Sequence, residues 1–311
     1  MKVIFMGTPD IAVPALEKII EAGHEVVLVV SQPDKPVGRS KALKYTPVKE
    51  CALAHGIEVY QPERIRAAEC VAYLKNYEAD IFVVEAFGQI VSQEVLDIPK
   101  YGCVNIHTSL LPKYRGASPI QWAVLNGDMV TGVTTMRMDA GIDTGDIIMQ
   151  QEKIINEGET SGTLYDRLAR AGAKLIVKTL EAIENGTATY TPQDESKATH
   201  TSKITKEMGS IDWTRSAKEI ECWIRGMDPW PSAYTRLDDK SVKIWKAQVV
   251  SDEELAKPGT IVRVNKNSIE VQTGKGILAI LELQIEGKKR MTTDAFLCGY
   301  SLEEGTVFKR G

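Results

Sequence analysis

The chain has 311 residues, 43% of them hydrophobic and 26% charged, with a formal net charge of −4. This composition suits a globular protein with material for two domains. It excludes a membrane span, since no apolar run approaches ~20 residues, and as a whole it advertises no polyanion partner. MKVIFMGTPD lacks the apolar core and cleavage site of a signal peptide. The cysteines at 51, 70, 103, 222 and 298 are odd in number and form no C-x-x-C pair. Reduced thiols in the cytoplasm are therefore expected, and a zinc site is not. Nothing resembles a coiled coil, and a monomer is expected.

Lys2 to Met6 reads as an apolar strand ending in Gly7-Thr8-Pro9-Asp10. Ile11, Ala15, Leu16 and Ile19 follow at near-helical spacing, Gly23 closes that helix, and Val26 to Val30 is a second apolar strand. Strand, helix and strand at this spacing predict a βαβ unit and a parallel sheet. Gly7 stands alone, without a G-x-G-x-x-G run, so no nicotinamide cofactor is expected. Gln32 to Pro47 is a long loop carrying Lys35, Arg39, Lys41 and Lys44 against Asp34. It reads either as a solvated loop or as an arm that touches phosphates. Val48–His55 and Ala67–Asn76 are predicted helices around a strand at 57–60. The buried strand Ile81–Val84 then delivers Glu85-Ala86-Phe87-Gly88. Phe87 reads as core packing or as the wall of a pocket for a flat ligand.

The stretch from Gly102 to Asp128 is the densest in chemistry. Cys103 to Ile106 reads as a buried strand, and residues two apart on a strand share a face. Asn105 and His107 therefore point the same way at its carboxyl end, where open α/β sheets bind ligands. Beyond them come the turn Ser109-Leu110-Leu111-Pro112, then Arg115 and Gly116. Ser118 and Pro119 follow as N-cap and first residue of a helix. A strand over 132–138 runs into DAGIDTGD at 139–146, a tight turn that presents Asp143. Its spacing matches no EF-hand, and no metal is expected. After a strand at 147–151, Thr160-Ser161 cap a long helix to Asn185, with Leu164, Leu168, Leu175, Ile176 and Ile183 on its inner side.

Thr187 to Thr205 is poor in large apolar residues and reads as a linker. The expected division is an α/β domain over 1–189, a linker over 190–205 and a second domain over 206–311. The second domain has one helix (217–226) and then short strands at 233–237, 242–250, 259–264, 268–273 and 277–285. Such strands with turns between them predict a small β-barrel or sandwich. Lys288, Lys289 and Arg290 sit in a turn and read as part of a basic face or as a solvated rim.

Asn105, His107 and Asp143 each have an ordinary structural reading. Together they suit acyl or formyl transfer. An Asn donates to an oxyanion, a His stabilised by an Asp adds a second donor, and the carboxylate can relay a proton. A serine hydrolase fits poorly, since no G-x-S-x-G elbow occurs.

The run NIHTSLLPKYRGASPIQWAVLNGD, with TGVT and DAGIDTGD, resembles the folate-dependent formyltransferase superfamily. MGTPDIAVPAL, QPDKPVGRSKAL, SGTLYDRL, IDW at 211–213, DPWP at 228–231 and GKKRM at 287–291 resemble its tRNA-formylating branch, and together they span nearly the whole chain. The resemblance implies a Rossmann-like N-terminal domain with a mainly parallel sheet and a smaller OB-like C-terminal β-barrel. It implies 10-formyltetrahydrofolate as donor and the amino group of methionyl initiator tRNA as acceptor. It implies Asn105, His107 and Asp143 as the catalytic set. Ser109, Leu110, Leu111 and Pro112 would contact the folate, and Phe87 and Gly88 would wall the pterin pocket. Lys35, Arg39, Lys41 and Lys44, with Lys288, Lys289 and Arg290 of the C-terminal domain, would meet tRNA. Glu85 stands where an apolar residue is expected, and DPWP replaces the more frequent NPWP. Superfamily relatives that formylate small amines, or hydrolyse the folate, share the Asn/His/Asp set. A non-catalytic RNA-binding reading leaves that set unexplained.

Overall fold

Short runs of β-branched and aromatic residues set the frame of the molecule, a computed structural model that describes residues 1–37 and 42–311. Arg39 and Lys41 lie outside the described residues. The chain divides into two units. One comprises Met1–Pro119, Val130–Ile154 and Tyr165–Thr201, and the other Ile120–Met129, Ile155–Leu164 and Ser202–Gly311. No helix among the described residues is long and apolar enough to cross a membrane.

The first unit is built on strands β1 (Lys2–Gly7), β2 (Glu25–Val30), β3 (Val59–Tyr60), β4 (Ile81–Glu85), β5 (Cys103–His107), β6 (Val130–Arg137) and β7 (Ile147–Ile154). They form one sheet in the order β7-β6-β5-β4-β1-β2-β3. The pairs from β5 through β4, β1 and β2 to β3 are parallel. The last two strands, β6 and β7, run antiparallel and finish the sheet as a hairpin. This is the expected Rossmann-like, mainly parallel arrangement, with the strand order reversing at β1. The central strands are apolar on both sides because both faces are covered. On one face Ile4, Met6, Leu28, Val30, Phe82 and Val84 pack with Leu74, Val95 and Phe87. Each such side chain contributes about 1.5–3 kcal/mol when fully buried.

Helix α1 (Val13–Glu21) starts with a proline in its first turn and buries Ala15, Leu16 and Ile19. Helix α2 (Pro47–Ala54) is capped by Thr46, whose side chain accepts from the Lys49 amide. Helix α3 (Ala68–Lys75) and the single turn α4 (Gln93–Leu96) complete this side of the chain. The basic loop is a ribbon in which Lys35–Val37 pairs antiparallel with Ala42–Lys44. Helix α5 (Pro119–Leu125) belongs to the second unit from Ile120 on. It is preceded by Ser118 at φ 60°, rather than the extended backbone usual for an N-cap. Helix α6 (Ser161–Glu184) belongs to the first unit from Tyr165 on.

The second unit carries α7 (Ala217–Met227), opened by a capping box between Ser216 and Glu219. Around it curls an antiparallel sheet of β8 (Ala233–Leu237), β9 (Lys240–Ser251), β10 (Ile261–Val264), β11 (Ile269–Gln272), β12 (Ile277–Ile285), β13 (Met291–Thr292) and β14 (Lys309–Arg310). The order is β10-β11-β12-β9-β8-β14, with β13 on β12. Register shifts at 244–246, 246–247 and 249–251 interrupt the β9–β12 ladder, and such bulges bend a sheet into a half-barrel. Just before β14, the Ile261 amide donates to Thr306 and the Phe308 amide to Gly259. The stretch 305–310 thus bonds both β10 and β8. Trp213, Ile220, Ile224, Val242, Ile280 and Leu283 fill the interior. A short helix, α8 (Thr293–Leu297), adds Phe296 to that core.

Candidate active site

Strand β5 lies between β4 and β6, with Asn105 opposite Val84 and Met136, and His107 opposite Thr134. Asn105 is half-buried, and its carboxamide has no hydrogen-bond partner among the described residues. His107 is buried, and its Nε2 lies 2.9 Å from the Tyr114 carbonyl oxygen. A carbonyl only accepts, so Nε2 carries the proton and Nδ1 is the nitrogen left for other work. Nδ1 lies 3.8 Å from Asp143 Oδ2. That is an ion-pair separation for a protonated ring and too long for a hydrogen bond.

Asp143 reaches this position from the turn after β6. The Asp139 carboxylate organises the turn, accepting from the Gly141 amide at 3.0 Å and the Thr144 hydroxyl at 2.6 Å. Asp143 has a left-handed backbone, φ 56°. Its Oδ2 accepts from the Gly116 amide at 2.8 Å. Two of the turn's carboxylates, Asp139 and Asp143, thus accept from amide and hydroxyl donors of the chain.

The Ser109–Pro112 turn is fixed from within. Ser109 is fully buried and its hydroxyl donates to the Lys113 carbonyl at 2.6 Å. The Thr134 hydroxyl donates to the Ser109 carbonyl at 2.7 Å and accepts from the Leu111 amide at 3.1 Å. Gln150 donates to the Leu111 carbonyl at 2.9 Å. The Leu110 side chain lies where a Cβ on Gly132 would stand, 2.5 Å away. Only Leu110 and Pro112 of the four are part-exposed.

At the end of β4 the Phe87 ring packs in the core, while its carbonyl accepts from the Thr8 hydroxyl at 2.9 Å and from Gln32 at 3.2 Å. Gly88 follows at φ 83°, with the Gln32 side chain 3.6 Å from where a Cβ would stand. Glu85 is 1% exposed, and neither carboxylate oxygen has a hydrogen-bond partner among the described residues. It opposes Gly7 on β1 and approaches Gly172 of α6. Burial pushes its carboxyl well above the usual carboxylate range, which favours the neutral acid over the carboxylate.

Lys35 and Lys44 are exposed and directly opposite on the ribbon. Lys49, beside them, is held by Asp34 and Gln61. In the second unit Lys288 and Lys289 are exposed in the turn before β13. Arg290 is committed to Glu282 at 2.7 Å and stands over the Trp245 ring at 5.0 Å.

Residues 193–201 also reach this site, although their spacing and composition gave no indication of it. Arg115 is 1% exposed and forks onto Glu195 at 2.9 and 2.6 Å. Its Nε donates to Gln193 Oε1 at 3.0 Å. His200–Thr201 pairs parallel with Arg115–Gly116. A Cβ on Gly116 would lie 2.6 Å from the Thr201 carbonyl oxygen. The one trace in the sequence is the pair Arg115-Gly116, a cation that needs an anion and a glycine that admits a neighbouring backbone.

Residues 1–180 match the family described as "Formyl transferase", and residues 203–301 match "Formyl transferase, C-terminal domain". The chain is 59% identical to the methionyl-tRNA formyltransferase of Agathobacter rectalis over 308 residues, 99% of each chain. It is 52% identical to that of Lachnospira eligens and 47% identical to that of Clostridioides difficile, each over 99% of both chains. Among solved structures it is similar to WlaRD, a sugar 3N-formyl transferase crystallised with dTDP and 5-N-formyl-THF. The TM-score is 0.67 at 23% identity, covering 93% of this chain and 99% of that one, a likeness of fold. The fold, the strand-end set and the full-length similarity to named relatives agree: the chain belongs to the methionyl-tRNA formyltransferase family.

Proposed function

We propose that this enzyme transfers the formyl group of 10-formyltetrahydrofolate to the amino group of methionyl initiator tRNA, using Asn105, His107 and Asp143. The observation that carries this reading is the convergence of three different polar groups at one strand end. An unpartnered carboxamide, an imidazole of defined tautomer and a carboxylate 3.8 Å from that imidazole suit attack on a carbonyl. They fit a formyl donor, which brings an oxygen that gains charge and a leaving nitrogen that needs a proton.

In the proposed step the neutral amine of the methionyl group attacks the formyl carbon. The new C–N bond forms, charge collects on the formyl oxygen, and the Asn105 amide with a protonated His107 donates to it. Asp143 stabilises the imidazolium and, directly or through water, takes the proton the attacking amine must lose. Breaking the old C–N bond returns the electron pair to the folate nitrogen, which takes that proton. Ser109 to Pro112, with Phe87 and Gly88, form the folate side of the site. The internal bonds of the 109–112 turn mean that it offers backbone and a fixed shape.

The acceptor is read by other parts. Lys35 and Lys44 are like charges placed directly across a ribbon, an arrangement that costs stability in isolation and that a phosphate would relieve. We assign these two, with Arg39 and Lys41 of the same loop, and Lys288 and Lys289, to tRNA backbone contacts. Arg290 is the weakest member of that set, because its charge is already shared with Glu282. On this reading residues 1–189 carry the chemistry and 206–311 help hold the tRNA. All five cysteines are free thiols, which suits the cytoplasm, where aminoacylated tRNA is found.

The test is an acceptor comparison. The protein is incubated with 10-formyltetrahydrofolate and, separately, methionyl-tRNA, glycinamide ribonucleotide, an amino sugar nucleotide or water alone. Formyl transfer to methionyl-tRNA is expected. Preference for a small amine, or hydrolysis as the main outcome, overturns the reading.

A further inference from the structure

We infer that the segment 193–201 is a strap that sets the catalytic geometry, with Gln193 as the positioning residue for Asp143. The inference rests on the reading that Asp143 serves the reaction. The strap lies between the two stretches matched by the family, 1–180 and 203–301.

Gln193 Nε2 donates to the carbonyl oxygens of both Asp143 and Gly145, each at 2.8 Å. Its Oε1 accepts from Arg115 Nε at 3.0 Å. Both donor hydrogens and the acceptor of this amide are thus in use. The two carbonyls are the one Asp143 itself carries, next to its φ of 56°, and the one two residues further along the turn. A left-handed conformation at a non-glycine residue is strained and persists only when its surroundings over-determine it. Gln193 supplies part of that determination. Arg115 in turn fixes Gln193, and the Arg115 guanidinium is itself fixed by its fork onto Glu195.

The same strap shapes the opposite side of the site. The Arg115 amide donates to the Thr199 carbonyl at 2.8 Å, and the Ala117 amide to the Thr201 carbonyl at 3.2 Å. The Tyr114 amide donates to the Thr199 hydroxyl at 2.8 Å. These bonds fix the backbone whose Tyr114 carbonyl holds His107 Nε2 and whose Gly116 amide holds the Asp143 carboxylate. One segment therefore sets both the tautomer of the imidazole and the place of its carboxylate. A strap that merely neutralised Arg115 would need Glu195 alone. The two donors that Gln193 directs at the Asp143 turn are what such a role leaves without purpose.

The test is a double-mutant cycle with kcat, KM and melting temperature as readouts. Gln193→Leu should lower kcat roughly 10- to 100-fold, as a displaced catalytic group does, with little change in either KM and with a lower melting temperature from the unpaired Arg115 Nε and turn carbonyls. On an Asp143→Asn background the same substitution should cost no further rate. Should Gln193→Leu fail to fold, Gln193→Glu replaces it, keeping the acceptor toward Arg115 and losing both donors. A wild-type kcat in the Gln193 variant, a loss confined to KM, or full additivity with Asp143→Asn overturns the positioning role. A near-normal kcat in Asp143→Asn alone sinks the underlying reading of Asp143 instead.

Discussion

His107 turns Nδ1, not Nε2, toward Asp143, because its Nε2 proton is committed to the Tyr114 carbonyl. On the proposed mechanism the carboxylate acts on the imidazole through the nitrogen that must gain a proton to become cationic. Asn105 stands apart from this pair, with no partner for its amide among the described residues. Asn105→Ala and His107→Ala should each lower kcat by about 10²–10³, the range for one oxyanion donor. His107→Ala combined with Asp143→Ala should be little worse than His107→Ala alone, since the two act as one unit. Single-turnover formylation of methionyl-tRNA measures all of these. A fully additive double variant would show that Asp143 works independently of His107.

Gly116→Ala should damage stability and rate together. Gly116 is at φ 102°, and an added methyl group would stand 2.6 Å from the Thr201 carbonyl oxygen. Backbone must move, and the backbone that moves carries the amide bound to Asp143. A loss of roughly 1–3 kcal/mol is expected, read as a lower melting temperature with a lower kcat. An unchanged melting temperature with unchanged kcat would mean that the 115–116 and 200–201 strands separate without consequence.

Glu85 should make the protein less stable as pH rises. The folded chain holds the Glu85 proton at pH values where the unfolded chain, with an ordinary carboxyl near pH ~4.3, has released it. The unfolded state then binds fewer protons, so stability falls with pH from that range up to the raised native value. Glu85→Leu removes this dependence and the two unpartnered oxygens. At pH 8 it should stabilise by about 1–3 kcal/mol, seen as a higher melting temperature and a flatter pH profile. Equal profiles for both proteins would mean that Glu85 finds a partner in solution.

Lys35→Ala and Lys44→Ala should each raise KM for tRNA and reduce the steepness of its salt dependence by about one counterion. KM for the folate should stay as it was. Arg290→Ala should change the salt slope less than Lys288→Ala, because Arg290 is already paired with Glu282. An Arg290 effect as large as that of Lys288 would mean that tRNA displaces Glu282.

Much of this was legible in the sequence because it follows from periodicity. Strand parity alone puts Asn105 and His107 on one face, and the apolar runs give β1, β2 and β4 and their parallel pairing. Two kinds of feature were hidden. The antiparallel closure by β6 and β7 leaves no mark on either strand's composition. The 193–201 segment is poor in large apolar residues and so reads as a connection. It is held by amide, guanidinium and carboxylate bonds, which hydrophobic patterning does not record. The partner of His107 was accessible only because DAGIDTGD offers few carboxylates. Which of its three reaches the imidazole is decided by the φ of 56° at Asp143, a torsion that no spacing rule supplies.

The stretch 305–310 touches β10 with its first residues and β8 with its last. A sheet normally exposes two unpaired margins, and each can recruit a foreign strand. Here a single six-residue ribbon occupies both, with 305–308 on one margin and 309–310 on the other. Peeling that ribbon away would expose a pair of sticky edges in one event. Resistance to self-association in the half-barrel therefore hangs on a few backbone hydrogen bonds around Phe308.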